Sequence, residues 1–309
     1  MQIRKYFCAL LFCLIIQPGV FASKASDAYD LGNAFVKQGK FKEAIDFYNQ
    51  AIKEDPKFVD AFAKRGLVYQ VTGKPKLALA DYNQAIKLEA KDPQVLVNRA
   101  MIYIGQKKFQ SAMKDLDQAI KLEPKSSIAY NDKAIVDEAL KNYKQGIKDA
   151  SQAIVIDPKY PSPYGNRAKL YALMKNYHKS IEDYNKLISL NPKLPMAYFN
   201  RAQIYFNLKD YKHAIEDCNS ALKLNNKIID AELLKAQSYH NLKQDKQAIA
   251  QCQKLLKFPN DNVKIKSHYL LALIYKGNGN KAALASQIKD IQVILNRHKN
   301  IKKKSRSKK

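Results

Sequence analysis

The chain has 309 residues, a formal net charge of +26 and 27% charged residues. That length is enough for a sizeable core. Ten glycines and the absence of Trp exclude a low-complexity or collagen-like chain, and the charge balance points to a soluble, strongly basic protein.

The N-terminus reads as a secretory signal. Arg4 and Lys5 form a charged start, Tyr6 to Ile16 is an apolar run, and Pro18-Gly19 breaks it. Val20-Phe21-Ala22 offers small residues for cleavage after Ala22, so residues 1–22 are expected to be a signal peptide. The run of eleven residues is shorter than the roughly 17–25 that a membrane span needs. A first helix of the fold and a retained anchor are the alternatives. Cleavage would leave only Cys218 and Cys252, in the same slot of adjacent units. Stacked helices lie about 8–10 Å apart, beyond the about 7 Å Cα separation that a disulfide tolerates, so two small core residues are expected.

A unit of 34 residues then recurs. Gly32, Gly66, Ala100, Ala134, Ala168, Ala202 and Ala236 stand 34 apart, and Ala272 follows after 36. An aromatic ring comes three residues later at Phe35, Tyr69, Tyr103, Tyr171, Tyr205, Tyr239 and Tyr275, and Pro56, Pro124, Pro158 and Pro192 punctuate the unit ends. Within each unit the apolar residues follow two helical stripes. The turn between them carries Lys107, Lys141, Lys175, Lys209 or Lys243, with Gly39, Gly73 or Gly279 elsewhere. Glycine there is consistent with a left-handed backbone position. Asn142, Asn176 and Asp210 follow and suit helix caps. A fixed period of this kind means stacked helix-turn-helix units, none of which buries its apolar face alone.

The pattern resembles the tetratricopeptide repeat. Small residues stand at unit positions 8 and 20 and an aromatic at 11. Tyr48, Tyr82 and Tyr184 stand at 24, Ala51, Ala85, Ala119, Ala153 and Ala221 at 27, and Pro at 32. The resemblance runs from Ala25 to His298 and implies an all-α, right-handed superhelical solenoid over 23–298. Its units lie near 25–58, 59–92, 93–126, 127–160, 161–194, 195–228, 229–262 and 265–298. Position 7 holds Arg65, Arg99, Lys133, Arg167 and Arg201, and position 23 holds Asp81, Asp115, Asp149, Asp183 and Asp217. In the first unit both slots turn apolar together, as Leu31 and Phe47. Cation and carboxylate come and go as a set, which predicts a partly buried pair that fixes register.

The resemblance places positions 2, 5, 6, 9, 12 and 13 of the first helices on a concave groove. Position 6 holds Asn98, Asp132, Asn166 and Asn200 in succession. This is similar to the asparagine ladder of O-linked N-acetylglucosamine transferases, whose amides hold an extended peptide backbone. A side-chain amide donates and accepts, so it matches any peptide unit. A chaperone-type carboxylate clamp is not expected, because Tyr29, Lys64 and Asn98 fill its slots beside Asn33. The fourth unit breaks the aromatic rule with Asp137 and Ala150. Asp132 and Glu138 beside Asp137 suggest an acidic notch for a partner's Lys or Arg. The alternative is local repacking neutralised by Lys133 or Arg167.

Residues 299–309 form a basic tail too polar to pack, and disorder is expected there. Lys302, Lys303, Lys304, Arg306, Lys308 and Lys309 would face a polyanion, such as an anionic membrane surface. Interleaved aromatics are absent, which argues against stacking on single-stranded nucleic acid. The five histidines have no metal spacing and no nucleophile motif appears. The reading is therefore a non-catalytic scaffold without cofactor or metal, exported to the periplasm or beyond, that binds a protein or extended peptide in its groove. The alternative is an adaptor tethered to a polyanion through the tail.

Overall fold

The computed structural model describes residues 18–89 and 91–306. The charged start and apolar run of the expected signal lie outside these residues, as do Ser307 to Lys309. Among the described residues there are sixteen α-helices and no strand. They alternate as first and second helices of eight repeats: α1 Pro18–Lys37 with α2 Phe41–Glu54, α3 Val59–Val71 with α4 Pro75–Lys87, α5 Pro93–Gly105 with α6 Phe109–Leu122, and α7 Ser127–Ala139 with α8 Tyr143–Ile156. The chain continues as α9 Pro161–Leu173 with α10 Tyr177–Leu190, α11 Pro195–Asn207 with α12 Tyr211–Leu224, α13 Ile229–Asn241 with α14 Asp245–Leu256, and α15 Asp261–Gly277 with α16 Lys281–Arg306. Two compact units divide the chain, through Asp132 and from Lys133 onward. Within each, successive helices pack on one another. No described helix is long and apolar enough to cross a membrane.

The turn inside each repeat has one geometry. Its left-handed residue is Gly39, Gly73 or Gly279 in three repeats and Lys107, Lys141, Lys175, Lys209 or Lys243 in the other five, with φ between 58° and 73°. The residue after it donates its backbone N–H back across the helix end, as Lys74 does to the Tyr69 carbonyl at 2.8 Å and Asn176 to Tyr171 at 2.8 Å. This six-to-one bond satisfies carbonyls that the helix leaves open. Asn176 and Asp210 cap the next helix by accepting from the Lys179 and His213 backbone N–H groups. Asn142 does not cap α8; its amide donates instead to Asp137 at 3.3 Å.

Small residues set the helix spacing. Ala44, Ala51, Ala78, Ala85, Ala112, Ala119, Ala168, Ala202, Ala214 and Ala221 are fully buried. A methyl group added at Gly66 would stand 2.8 Å from the Tyr82 ring, and one at Gly32 would stand 2.6 Å from Tyr48. The position-24 tyrosines therefore occupy the space that glycine leaves on the facing helix. The cores join neighbouring repeats: Phe62, Tyr82, Val95 and Ile102 cluster in the first unit, and Tyr164, Tyr184, Leu187 and Ile204 in the second. Cys218 and Cys252 fill the tyrosine slot as free, buried thiols, and burial pushes both up to about 12.

Helix α16 ends the second unit. His298 on α16 bonds Asp261 on α15 at 2.7 Å, and His268 Nδ1 lies 2.7 Å from Gln287 Oε1. The α16 backbone stays helical through Arg306, into the stretch whose composition predicts disorder. The lysine and arginine side chains from Lys302 onward lie outside the described ones.

Candidate interaction groove

Each repeat arginine ties three helices. On α3, Arg65 holds Asp81 of α4 with Nε at 2.8 Å and Nη2 at 2.6 Å, and its Nη1 donates to Asn49 of α2 at 2.6 Å. Arg99 does the same to Asp115 and Asn83, Arg167 to Asp183 and Ser151, and Arg201 to Asp217 and Asn185. The fork-to-fork geometry is the strong form of this contact. The third partner, sixteen residues before each arginine, was not read from the sequence, although its 34-residue recurrence is visible there. The position-11 rings are half-buried and lie beside cations: Arg65, Arg167 and Arg201 sit 5.9–6.0 Å from the rings of Tyr69, Tyr171 and Tyr205, and Tyr69 also packs against the core that Val95 and Ile102 of the next repeat join. In the seventh repeat the pair is replaced. Glu232 is buried on α13 and accepts from Gln251 and Lys254 of α14.

With the arginines committed to structure, the first helices leave open cavities in each unit. In the second unit a cavity of about 400 Å³ is lined by Lys169, Leu173, Tyr184, Asn200, Gln203, Phe206, Asn207 and Leu234. A second, of about 480 Å³, shares Phe206 and adds Gln237, His240, Asn241, Ile265, Tyr269 and Leu273. Of these, Tyr184 stands at unit position 24 and Ile265 at position 1, and the others at positions 5, 6, 9, 12 or 13. In the first unit a cavity of about 630 Å³ lies among Tyr29, Asn33, Val36, Tyr48, Lys64, Leu67 and Val71.

The expected asparagines divide. Asn200 lines the second-unit cavity and hydrogen-bonds the Tyr184 hydroxyl. Asn166, half-buried on α9, does not line it. In the first unit Asn98 accepts from Gln94 at 2.9 Å and hydrogen-bonds Tyr82, whose hydroxyl donates to Gln70 at 2.8 Å. Part of each amide's capacity is therefore spent on the preceding repeat's tyrosine. The cavity adds amides that the sequence reading missed. Gln203 and Gln237, like Asn207 and Asn241, recur 34 apart at positions 9 and 13.

The acids of the fourth repeat are placed differently from an open notch. Asp132, in the first unit, is buried. Asn131 donates to its Oδ1 at 3.2 Å, and Oδ2 has no partner among the described residues. Burial raises its carboxyl to about 6. In the second unit Glu138 is half-buried and paired with Lys169 at 2.6 Å. Asp137 is buried beside Asp149; burial and that second acid push it well above the ordinary carboxylate range, while the Lys133 charge acts the other way. Arg167 does not serve here, because Asp183 and Ser151 occupy its guanidinium.

This architecture defines a class: all-helical repeat proteins built from stacked helix-turn-helix units. Profiles described as TPR repeat match residues 32–73 and 170–209, and profiles described as tetratricopeptide repeat match 59–92, 93–126, 195–227 and 230–261. The chain is a tetratricopeptide-repeat protein, and such repeats serve in general as non-catalytic scaffolds for protein–protein interaction. Among solved structures it is similar to pilF of Pseudomonas aeruginosa, at 19% identity and a TM-score of 0.63, covering 71% of this chain and 99% of that one. A tetratricopeptide repeat protein from Parabacteroides merdae matches at 19% identity and a TM-score of 0.61, covering 80% and 99%. The chain also matches the APC/C hetero-tetramer Cut9-Hcn1, at 18% identity and a TM-score of 0.62, covering 70% of this chain and 43% of that one. At these identities the likeness concerns the fold. No curated protein matches the chain in sequence.

Proposed function

We propose that this protein is an exported scaffold that holds an extended segment of a partner protein along its first-helix groove. The observation that carries this reading is the pair of adjoining second-unit cavities lined by Asn200, Gln203, Asn207, Gln237 and Asn241 among apolar side chains. Amides on successive helix turns match a peptide backbone whatever its sequence, and the apolar walls between them take side chains. Export rests on the charged start, apolar run and small-residue site of residues 1–22. The basic tail supports a second role as a tether to a polyanion.

Affinity capture from the native cell envelope separates these roles. Three proteins are compared: the intact chain, a variant with Asn200, Gln203 and Gln237 changed to Ala, and one with Lys302, Lys303, Lys304, Arg306, Lys308 and Lys309 changed to Gln. Groove partners are expected to be lost from the first variant only and to survive moderate salt. Tail partners are expected to be lost from the second only and to fall steeply with salt. Retention of every partner by the amide variant would overturn the groove reading.

A further inference from the structure

The lysines are not spread evenly. Around the turns of the fourth and fifth repeats, Leu140 through Lys148 and Met174 through Lys179 hold five lysines and no Asp or Glu. Lys141, Lys144, Lys148, Lys175 and Lys179 are all exposed, and none pairs with a carboxylate among the described residues. The groove of the same unit is different: its Lys169 is neutralised by Glu138. The two turns form one surface. A cavity of about 490 Å³ is lined by Lys141, Tyr143 and Lys144 from one turn and Met174 from the next. An apolar side chain stands among the charges, with Met174 41% exposed. The first unit repeats the pattern: residues 71–80 and 105–114 also hold five lysines and no acid, with Leu77 exposed.

We propose that this turn edge is a docking surface for an anionic lipid bilayer, separate from both the groove and the tail. Charge complementarity calls for a polyanion, and three observations select the bilayer. Exposed aliphatic groups among lysines suit an interface where headgroups give way to acyl chains; against nucleic-acid phosphates they would gain nothing. The ring of Tyr171 is half-buried with Lys179 lying 5.6 Å away, so it is not free to stack on bases. The repeat arginines Arg65, Arg99, Arg167 and Arg201, which would grip individual phosphates with two bonds, are locked onto aspartates, leaving lysines that act as hydrated point charges suited to a diffuse anionic plane.

The test is sedimentation with vesicles of phosphatidylglycerol and phosphatidylcholine, against phosphatidylcholine alone. The edge variant carries Lys144→Gln, Lys148→Gln and Lys179→Gln, with Lys141→Asn and Lys175→Asn because Asn tolerates the left-handed backbone there. A control variant changes the same number of lysines elsewhere in the unit, Lys159, Lys186, Lys193, Lys223 and Lys227, to Gln, and all variants are checked for unchanged helicity. Each is made with the native tail and with the tail lysines and Arg306 changed to Gln. The wild-type chain is expected to bind only the anionic vesicles, more weakly as salt rises. The edge variant is expected to lose about tenfold or more in partitioning on either tail background, since each lysine adds to adhesion. The control variant is expected to lose less than about threefold. Equal loss in edge and control variants would overturn the proposal in favour of adsorption by net charge. Binding that vanishes with the tail alone would overturn it, as would tighter binding to a DNA duplex than to the vesicles. Groove partners should be retained by the edge variant, so this test and that of the groove fail independently.

Discussion

At position 6, repeats three, five and six carry Asn98, Asn166 and Asn200, and repeat four carries Asp132. The amide-to-acid change keeps the shape and adds a charge that the site does not solvate. One oxygen of Asp132 accepts from Asn131, and the other has no partner among the described residues. Its carboxyl is held at about 6 by burial, above the about 4 of an unfolded aspartate. A raised acid destabilises the fold when it ionises. Below about pH 4 both states are protonated and there is no penalty. From about 4 to 6 the unfolded chain ionises first, so stability falls, and above about 6 the penalty is complete. Asp132→Asn is therefore expected to stabilise the protein by about 2 kcal/mol at pH 7 and to change little at pH 4. Thermal denaturation of both proteins across this range measures it, and a gain that is independent of pH would contradict the assignment.

Between elements, the arginine forks convert a stack of amphipathic helices into one with a fixed register. Arg99 on α5 reaches Asp115 on α6 and Asn83 on α4. Its side chain is 17% exposed and that of Asp115 only 3%. Asp115→Ala removes both bonds of the fork and leaves the cation half-buried, which is expected to cost about 2–3 kcal/mol. Repeat one shows the apolar solution at the same slots, where Phe47 stacks on Phe35 with ring centroids 5.2 Å apart. Arg99→Leu with Asp115→Phe should accordingly cost less than Asp115→Ala alone, as chemical denaturation would show. The opposite order would mean that the pair itself, and not the avoidance of a lone charge, stabilises these repeats. The fork was legible because Arg and Asp vary together from repeat to repeat. Its third arm was not, because Asn49, Asn83, Ser151 and Asn185 are exposed or half-buried polar residues that look like ordinary surface until the register between repeats is known. The same reason hid the tyrosine–asparagine bonds: position 24 of one repeat meets position 6 of the next, a contact that spacing within a repeat does not reveal.

For the whole molecule, periodicity carried the fold, since eight copies of one helix pair cannot bury their apolar stripes except on each other. The candidate groove was legible only in outline. Most of its lining positions followed from the repeat, whereas how much of each amide is free in it depended on neighbours, which take up part of Asn98 and Asn200. Glu138 was likewise read as open, and its neutralisation comes from Lys169 of the following repeat. Such nearest-neighbour construction has a consequence for stability. Each helix packs mainly on the helices next in sequence, so a local injury should stay local. Asp81→Ala strands Arg65 between α2, α3 and α4. Amide hydrogen exchange is expected to quicken about tenfold or more in α2 to α5, the factor that about 1.4 kcal/mol produces. Exchange in α11 to α14, remote in sequence and tied by Arg201 to Asp217 and by Glu232 to Lys254, is expected to stay at its wild-type rate. A uniform rise along the chain would show instead that the repeats open as one cooperative body, and the stability of each would then no longer be set by its own neighbours.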